Sequence, residues 1–370
     1  MNKMSRTHPL ELHEIRSRIA RNLDLKDLAS CTRVCQDWND SFTSPLYHSV
    51  VMSKHGLSME SFERHKHLIR HLVIHSSVYE TLPSTSREQV VSSVMANSTL
   101  TELDLGAEDN STLITLNLGG NNIGPNGAQA LSEALKTNST LATLDLGWNS
   151  IGPEGGRALF EAPKTSSTLT TLNLTHNSIN PRGAQALSEA MKTNSILTNL
   201  ILCINSIGDY GAQALFEALK NNSTLTTLEV VNNSIGPNGA QALSEALKLN
   251  STLTTLNLRD NYIGPDGAQA LSEALKLNST LTTLNLRDNY IGPDGAQALS
   301  EALKTNSTLT ALDLTDNKIE SNAAQALSEA LKINLTLTTL NLAHNKIGLD
   351  GAQALSDALK TNRTVTITGI

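Results

Sequence analysis

The feature that most constrains this 370-residue chain is a period of 28. Asn121, Asn149, Asn177, Asn205, Asn233, Asn261, Asn289, Asn317 and Asn345 recur at that spacing. Each follows the pattern L-x-x-L-x-L-x-x, as in LTTLNLRDN from Leu253 to Asn261, with Val230 taking one Leu place. After each comes a turn and a helical pattern, as in YIGPDGAQALSEALKLNST. Segment 239–276 recurs unchanged as 267–304, the mark of a duplication. A unit this short cannot bury its own apolar face, so the copies must stack on one another.

The chemistry of one unit fixes how they stack. In LTTLNL alternate residues point the same way, so Leu256 and Leu258 are expected to meet their counterparts 28 residues away in a parallel sheet. The Asn closing the strand sits where the backbone turns inward, and its amide suits buried N–H and C=O groups that would otherwise lack partners. In the helix, Ala268, Leu271, Ala274 and Leu275 share one face. Aromatic residues make up only 3% of the chain, so the core must be Leu, Ala and Val. The expected fold is α/β: a curved solenoid of 28-residue repeats with the parallel sheet concave and the helices convex.

The period and the L-x-x-L-x-L-x-x-N pattern closely resemble leucine-rich repeats of the ribonuclease-inhibitor class over residues 113–370. Residues 69–112 read as irregular N-terminal repeats. IRHLVI, with Ile69, Leu72 and Ile74, looks like a first strand, SREQVVSSVMANST like its helix, and LTELDL at 100–105 like the next strand. Leu113 follows Leu105 by only eight positions, too few for a helix between them. Pro163 replaces a core Leu and should fray its helix, and ESNAAQAL at 320–327 lacks the usual glycine pair. RTVTITGI begins a tenth strand with no polar cap after it, which leaves a sheet edge that needs covering.

Charge and composition narrow the function. Net charge is −7, and residues beyond 60 hold twenty Lys/Arg against twenty-eight Asp/Glu, which argues against nucleic acid as a partner. Three cysteines cannot form a disulfide framework, which favours a reducing compartment. No apolar run approaches signal-peptide or membrane-span length, so a soluble cytoplasmic or nuclear protein with no membrane partner is expected. The tripeptide NST at Asn97, Asn110, Asn138, Asn222, Asn250, Asn278 and Asn306 is a formal glycosylation acceptor. Its fixed place between units reads better as turn chemistry.

No catalytic constellation is evident, and no cofactor is expected. The Ser column of ALSEAL has no His at matching period, and its Glu pairs with the Lys three residues on. His65, His67, His71 and His75 cluster without Cys or paired carboxylates, so they read as a polar entry to the repeats rather than a metal site. Cys203 reads as an inert thiol. What varies between units is the pair before the ladder Asn, which runs GG, GW, TH, CI, VN, RD, RD, TD, AH. These residues flank the concave face. Trp148, His176, Ile204 and Val231 form a mixed apolar patch, and Arg259, Asp260, Arg287 and Asp288 a charged ladder beside Tyr262 and Tyr290. Exposed Trp and Tyr beside Arg is the composition of binding hot spots, so these ten are the expected target-binding residues. The Arg/Asp set has a simpler reading: Arg259–Asp260 and its copy pair with each other across repeats, as a relic of the duplication.

The first 52 residues do not repeat. Leu12, Ile15, Ile19 and Leu23 fall at roughly helical spacing, and Leu28, Cys31, Cys35 and Trp38 share one helical face. Residues 1–52 therefore read as a small all-α module, with 53–68 as linker. So small a module is marginal alone and suits docking onto a protein partner. PLELHEI, LDLKDLASCTRVCQDWND and SPLYHSV, over residues 9–51, look like an F-box. Its pattern has an L-P-x-E-type start, an L-x-x-x-D-L middle and a V-C-x-x-W ending. His13, Arg16 and Tyr47 depart from that pattern.

That resemblance implies docking on a Skp-type adaptor of a cullin-based ubiquitin ligase, with the repeats selecting a protein substrate. It also implies that the chain is a non-catalytic receptor. Pro9, Leu12, Ile15, Leu28, Val34 and Trp38 match the adaptor-facing and core positions. Two other readings compete. One is a stand-alone interaction or inhibitor protein like ribonuclease inhibitor, a family far richer in cysteine. The other is a small-GTPase regulator of the Ran GTPase-activating type, which usually carries an acidic tail.

Overall fold

The computed structural model describes residues 49–52, 71–74, 102–104, 114–120, 123–139, 141–161 and 168–369. Strands β1 (Ser49–Met52), β2 (His71–Ile74) and β3 (Glu102–Asp104) form a three-stranded parallel sheet in chain order. The sequence places a first strand at residues 69–74. The ladder in fact starts one strand earlier, because Ser49–Met52, at the end of the segment read as all-helical, pairs with His71–Ile74. The segment read as the first repeat's helix lies outside the described residues.

The second sheet has ten parallel strands, again in chain order. They are β4 (Thr115–Asn117), β5 (Thr143–Asp145), β6 (Thr171–Asn173), β7 (Asn199–Ile201), β8 (Thr227–Glu229), β9 (Thr255–Asn257), β10 (Thr283–Asn285), β11 (Ala311–Asp313), β12 (Thr339–Asn341) and β13 (Thr366–Thr368). Each crossover carries a helix: α1 (Gly124–Thr137), α2 (Gly152–Glu161), α3 (Asn180–Met191), α4 (Gly208–Leu219), α5 (Pro237–Leu247), α6 (Gly264–Leu275), α7 (Gly292–Leu303), α8 (Ser321–Ile333) and α9 (Gly348–Thr361). Leu pairs with Leu at an offset of 28 along the sheet, as in Leu256↔Leu284, and the offset drops to 27 only at Leu340↔Ile367. Helix α2 ends at Glu161, so the fraying expected around Pro163 falls outside the described residues.

The strands of this second sheet are three residues long, and from β4 to β12 the middle residue is the buried one. Leu256, Leu258, Ala268, Leu271, Ala274 and Leu275 are all essentially inaccessible, as the periodicity requires. Neighbouring helices approach closely because small residues line their contact. A Cβ on Gly295 would lie 2.6 Å from Ile291 Cγ2 and 2.8 Å from Ala268 Cβ. Where α8 carries Ala323 at that position, the preceding Glu320 takes an extended backbone (φ −102°, ψ 176°) and the helix starts at Ser321. The Ser column of the helices is buried and bonded to backbone, apart from the exposed Ser356 of α9. Ser272 Oγ donates to Gln269 O at 2.7 Å, and Ser244 Oγ reaches across to Ala270 O at 2.6 Å. Phe160 and Phe216 take that place in α2 and α4, both buried.

Two asparagine ladders bind the units to each other. In the first, Asn205 Nδ2 donates to Leu174 O (2.8 Å), Leu202 O (3.0 Å) and Cys203 O (3.1 Å). Its Oδ1 accepts from Asn177 N (3.0 Å) and Ile179 N (3.1 Å). One carboxamide thus satisfies backbone groups in its own unit and the one before it, all out of reach of water. The second ladder is built by the sequon asparagines. Asn250 Nδ2 donates to Leu219 O (2.9 Å) and Asn222 O (3.0 Å), and its Oδ1 accepts from Leu253 N (2.8 Å). Asn222, Asn250, Asn278 and Asn306 are buried, so the amide a glycosyl transferase would need is already engaged.

Candidate functional site

The concave face is set by three columns. The first is the residue after the middle Leu of each strand. Here an Asx turn recurs: Asn173 Oδ1 accepts from Thr175 N, Asn257 from Arg259 N, Asn285 from Arg287 N and Asp313 from Thr315 N, at 2.9 to 3.2 Å. That bond locks the chain as it leaves the strand. Ile201 and Glu229 occupy the same column and cannot make it in this form.

The second and third columns are the variable pair before the ladder Asn. Every residue directly before that Asn has positive φ: Gly120 73°, Trp148 61°, His176 54°, Ile204 57°, Asn232 51°, Asp260 56°, Asp288 55°, Asp316 57° and His344 59°. The backbone imposes this, because the amide there bonds to the next unit whatever the side chain. Trp148 N reaches Thr175 O, His176 N reaches Cys203 O and Ile204 N reaches Val231 O, each at 2.8 Å. Gly, Asn, Asp and His tolerate the left-handed region. A bulky Trp and a β-branched Ile do so at a cost of about 1–2 kcal/mol each.

The strained side chains are not recovering that cost by burial, since Trp148 is 58% and Ile204 38% exposed. Trp148 stacks on His176 with ring centroids 3.9 Å apart and planes 10° apart. The four residues of the expected apolar patch therefore lie on four successive units, Trp148, His176 and Ile204 in one column and the half-buried Val231 in the column beside it. Sequence reading missed Ile201 and Glu229, which join the same patch. The signal that would have found them is their departure from Asn/Asp in an otherwise Asx column. Cys203, between Ile201 and Ile204, is a free thiol. Burial pushes its pKa up, with Glu229 adding to that and a backbone hydrogen bond at Val231 opposing it, so it stays protonated and unreactive.

The charged ladder behaves differently. Arg259 pairs with its own neighbour Asp260 at 3.1 Å, and Arg287 with Asp288 at 3.4 Å. The pairing is within each unit rather than across units. Across units the two carboxylates meet: burial raises the pKa of Asp260, Arg259 opposes this, and the hydrogen bond and charge of Asp288 raise it further. Tyr262 and Tyr290 stack at 6.0 Å on the adjoining edge, and Lys318 Nζ sits 4.5 Å over the Tyr290 ring. The ten expected target-binding residues thus divide into an apolar patch at β5–β8 and a self-paired polar set at β9–β10.

The expected adaptor-facing residues Pro9, Leu12, Ile15, Leu28, Val34 and Trp38 lie outside the described residues, as do His65, His67 and His75. Among the described residues there is no group of three or more His, Cys, Asp or Glu placed to hold a metal ion, and no helix is long and apolar enough to cross a membrane.

Comparison with known proteins adds sequence evidence. An F-box-like domain model matches residues 13–53. A leucine-rich repeat model matches residues 109–132, 137–160, 165–188, 221–244, 249–272, 277–300, 305–328 and 334–356, just over half of the chain. The repeat between the third and fourth matches is the one carrying Ile201, Cys203 and Ile204. A search of curated proteins gives no match. Among solved structures, the chain is similar to leiomodin-1 actin-binding site 2, with 28% identity, a TM-score of 0.36 and coverage of 40% of this chain and 87% of that one. It is also similar to a chain of the Rad7 and Elc1 complex in yeast, with 15% identity, a TM-score of 0.34 and coverage of 100% and 99%. At those TM-scores neither likeness decides what this chain does. The chain belongs to the leucine-rich repeat proteins, and carries an F-box-like domain at residues 13–53 ahead of its repeats.

Proposed function

We propose that this protein is a non-catalytic substrate receptor of a cullin-type ubiquitin ligase. The F-box-like segment docks on a Skp-type adaptor, and the concave face of the repeats holds a protein target near the ligase machinery. Such a receptor works by proximity: holding two reactants together replaces a bimolecular encounter with an intramolecular one. The observation that carries this reading is the pairing, in one chain, of an F-box-like match at 13–53 with a solenoid whose concave face bears exposed, strained apolar side chains. A cytoplasmic or nuclear location follows from the reading, because that is where cullin ligases work.

The test is co-purification of the full chain with a Skp-type adaptor, beside Leu28→Ala with Trp38→Ala in the same chain. Stoichiometric binding that the double substitution abolishes supports the reading. A folded chain that fails to bind the adaptor refutes it.

A further inference from the structure

The concave patch at β5–β8 has a definite chemistry, and it selects a definite class of occupant. Its apolar part is Trp148 stacked on His176, followed by Ile204 and Val231, with Ile201 on the strand beside them. Trp148 and Ile204 hold left-handed backbone positions where other units place Gly, Asn or Asp, and both are exposed. Strain kept at a solvent-facing site is a mark of function rather than of folding. The unit of Ile204 also loses the Asx bond, at Ile201, as does the next unit at Glu229, whereas the unit of Trp148 keeps it through Asp145 Oδ1, which accepts from Gly147 N at 2.8 Å. Charge supplies the other half. Over β4–β8 the described concave positions carry Asp145 and Glu229 and no Lys or Arg. The nearest concave cations, Arg259 and Arg287, are already paired with Asp260 and Asp288.

We infer that this patch binds an extended segment of a partner polypeptide in which an apolar anchor, aromatic or aliphatic, is followed by a Lys or Arg. The anchor seats on the Trp148–His176–Ile204 column, and the cation faces Glu229. Geometry sets their longest separation. Trp148 and Glu229 belong to units three strands apart, or about 14 Å at the ordinary strand spacing, and an extended chain covers that in about four residues. The spacing shortens as the anchor moves toward Ile204, one strand from Glu229, and a cation eight residues from the anchor reaches neither Glu229 nor Asp145. The inference deepens the receptor reading only in describing the captured protein, and does not depend on adaptor docking.

The probe is a library of random twelve-residue peptides displayed on phage and selected against the full chain, with selected sequences remade as dye-labelled peptides for anisotropy. The expected result is enrichment of an apolar residue with Lys or Arg within about four positions of it. Trp148→Asn and Ile204→Asn, which install a residue that Asn232 shows the backbone accepts, should each weaken binding at least about tenfold, as hot-spot losses do. Both should leave the thermal unfolding midpoint unchanged or higher, so that lost binding is not lost folding. Glu229→Gln should weaken Lys-containing peptides and spare those with Ala in that place. An acidic consensus, binders indifferent to Trp148 and Ile204, or no enrichment at all would overturn the inference. Co-purification with the Skp-type adaptor should be the same for all three variants. Loss of adaptor binding by the unaltered chain sinks the receptor reading alone, and loss of peptide selectivity sinks this one alone.

Discussion

Replacing Asn205 by Ala tests what holds neighbouring units together. The side chain is fully buried and makes five hydrogen bonds to backbone. Two of its acceptors keep another partner after the change: Leu202 O still receives Asn233 Nδ2 at 2.9 Å, and Cys203 O still receives His176 N at 2.8 Å. The groups that lose their partner are the N–H of Asn177, the N–H of Ile179 and the carbonyl of Leu174. A buried polar group left unmatched costs about 1–3 kcal/mol, and partial entry of water into the space vacated lowers the sum, so a loss of about 4 kcal/mol is expected. Asn345 makes the same set of contacts to Asn317 N, Ile319 N and Leu314 O, but is only half-buried. There water replaces the carboxamide, and Asn345→Ala should cost about 1–2 kcal/mol. Urea unfolding followed by circular dichroism, with limited proteolysis to locate the opened unit, measures both. Equal losses at the two sites, or a loss at Asn205 below about 1 kcal/mol, would refute the claim that desolvated backbone partners set the cohesion of the array.

Three further outcomes follow from the geometry. Ile204→Asn should raise stability by about 1 kcal/mol, because a β-branched residue leaves the left-handed region, and calorimetry reads the shift. Gly295→Ala should cost about 1–3 kcal/mol, since its Cβ would meet Ile291 Cγ2 at 2.6 Å in a filled interface, and a lower urea midpoint is the check. Asp260 is raised in the folded state, above all by burial, so the folded chain binds more protons than the unfolded one. Its contribution therefore weakens stability as pH rises from the ordinary Asp value near 4 through the higher folded one. Asp260→Asn should remove that fall, which paired urea titrations at acid and neutral pH would show.

Much of this protein was legible in its sequence because a repeat is read many times over. The 28-residue spacing alone implied parallel strands in register, since no other arrangement lets Leu256 meet Leu284 and every ladder Asn meet its neighbour. The patch of Trp148, His176, Ile204 and Val231 could be named from the variable pair, because differences between copies mark where the scaffold leaves choice. The sequence could not show that the residue before each ladder Asn is held at positive φ. That follows from a hydrogen bond between one unit's amide and the next unit's carbonyl, a tertiary contact no single segment contains. Only with it do Trp148 and Ile204 become costly rather than merely exposed. Periodicity also hid β1, whose partner lies at an offset of 22 rather than 28. Nor could sequence separate Arg259 and Asp260 pairing within a unit from pairing across units, because both orders of charge lie at identical spacing and only the stacked geometry decides. Local pattern determines what a repeat is; contacts between copies decide where it is strained and which of its charges are spent.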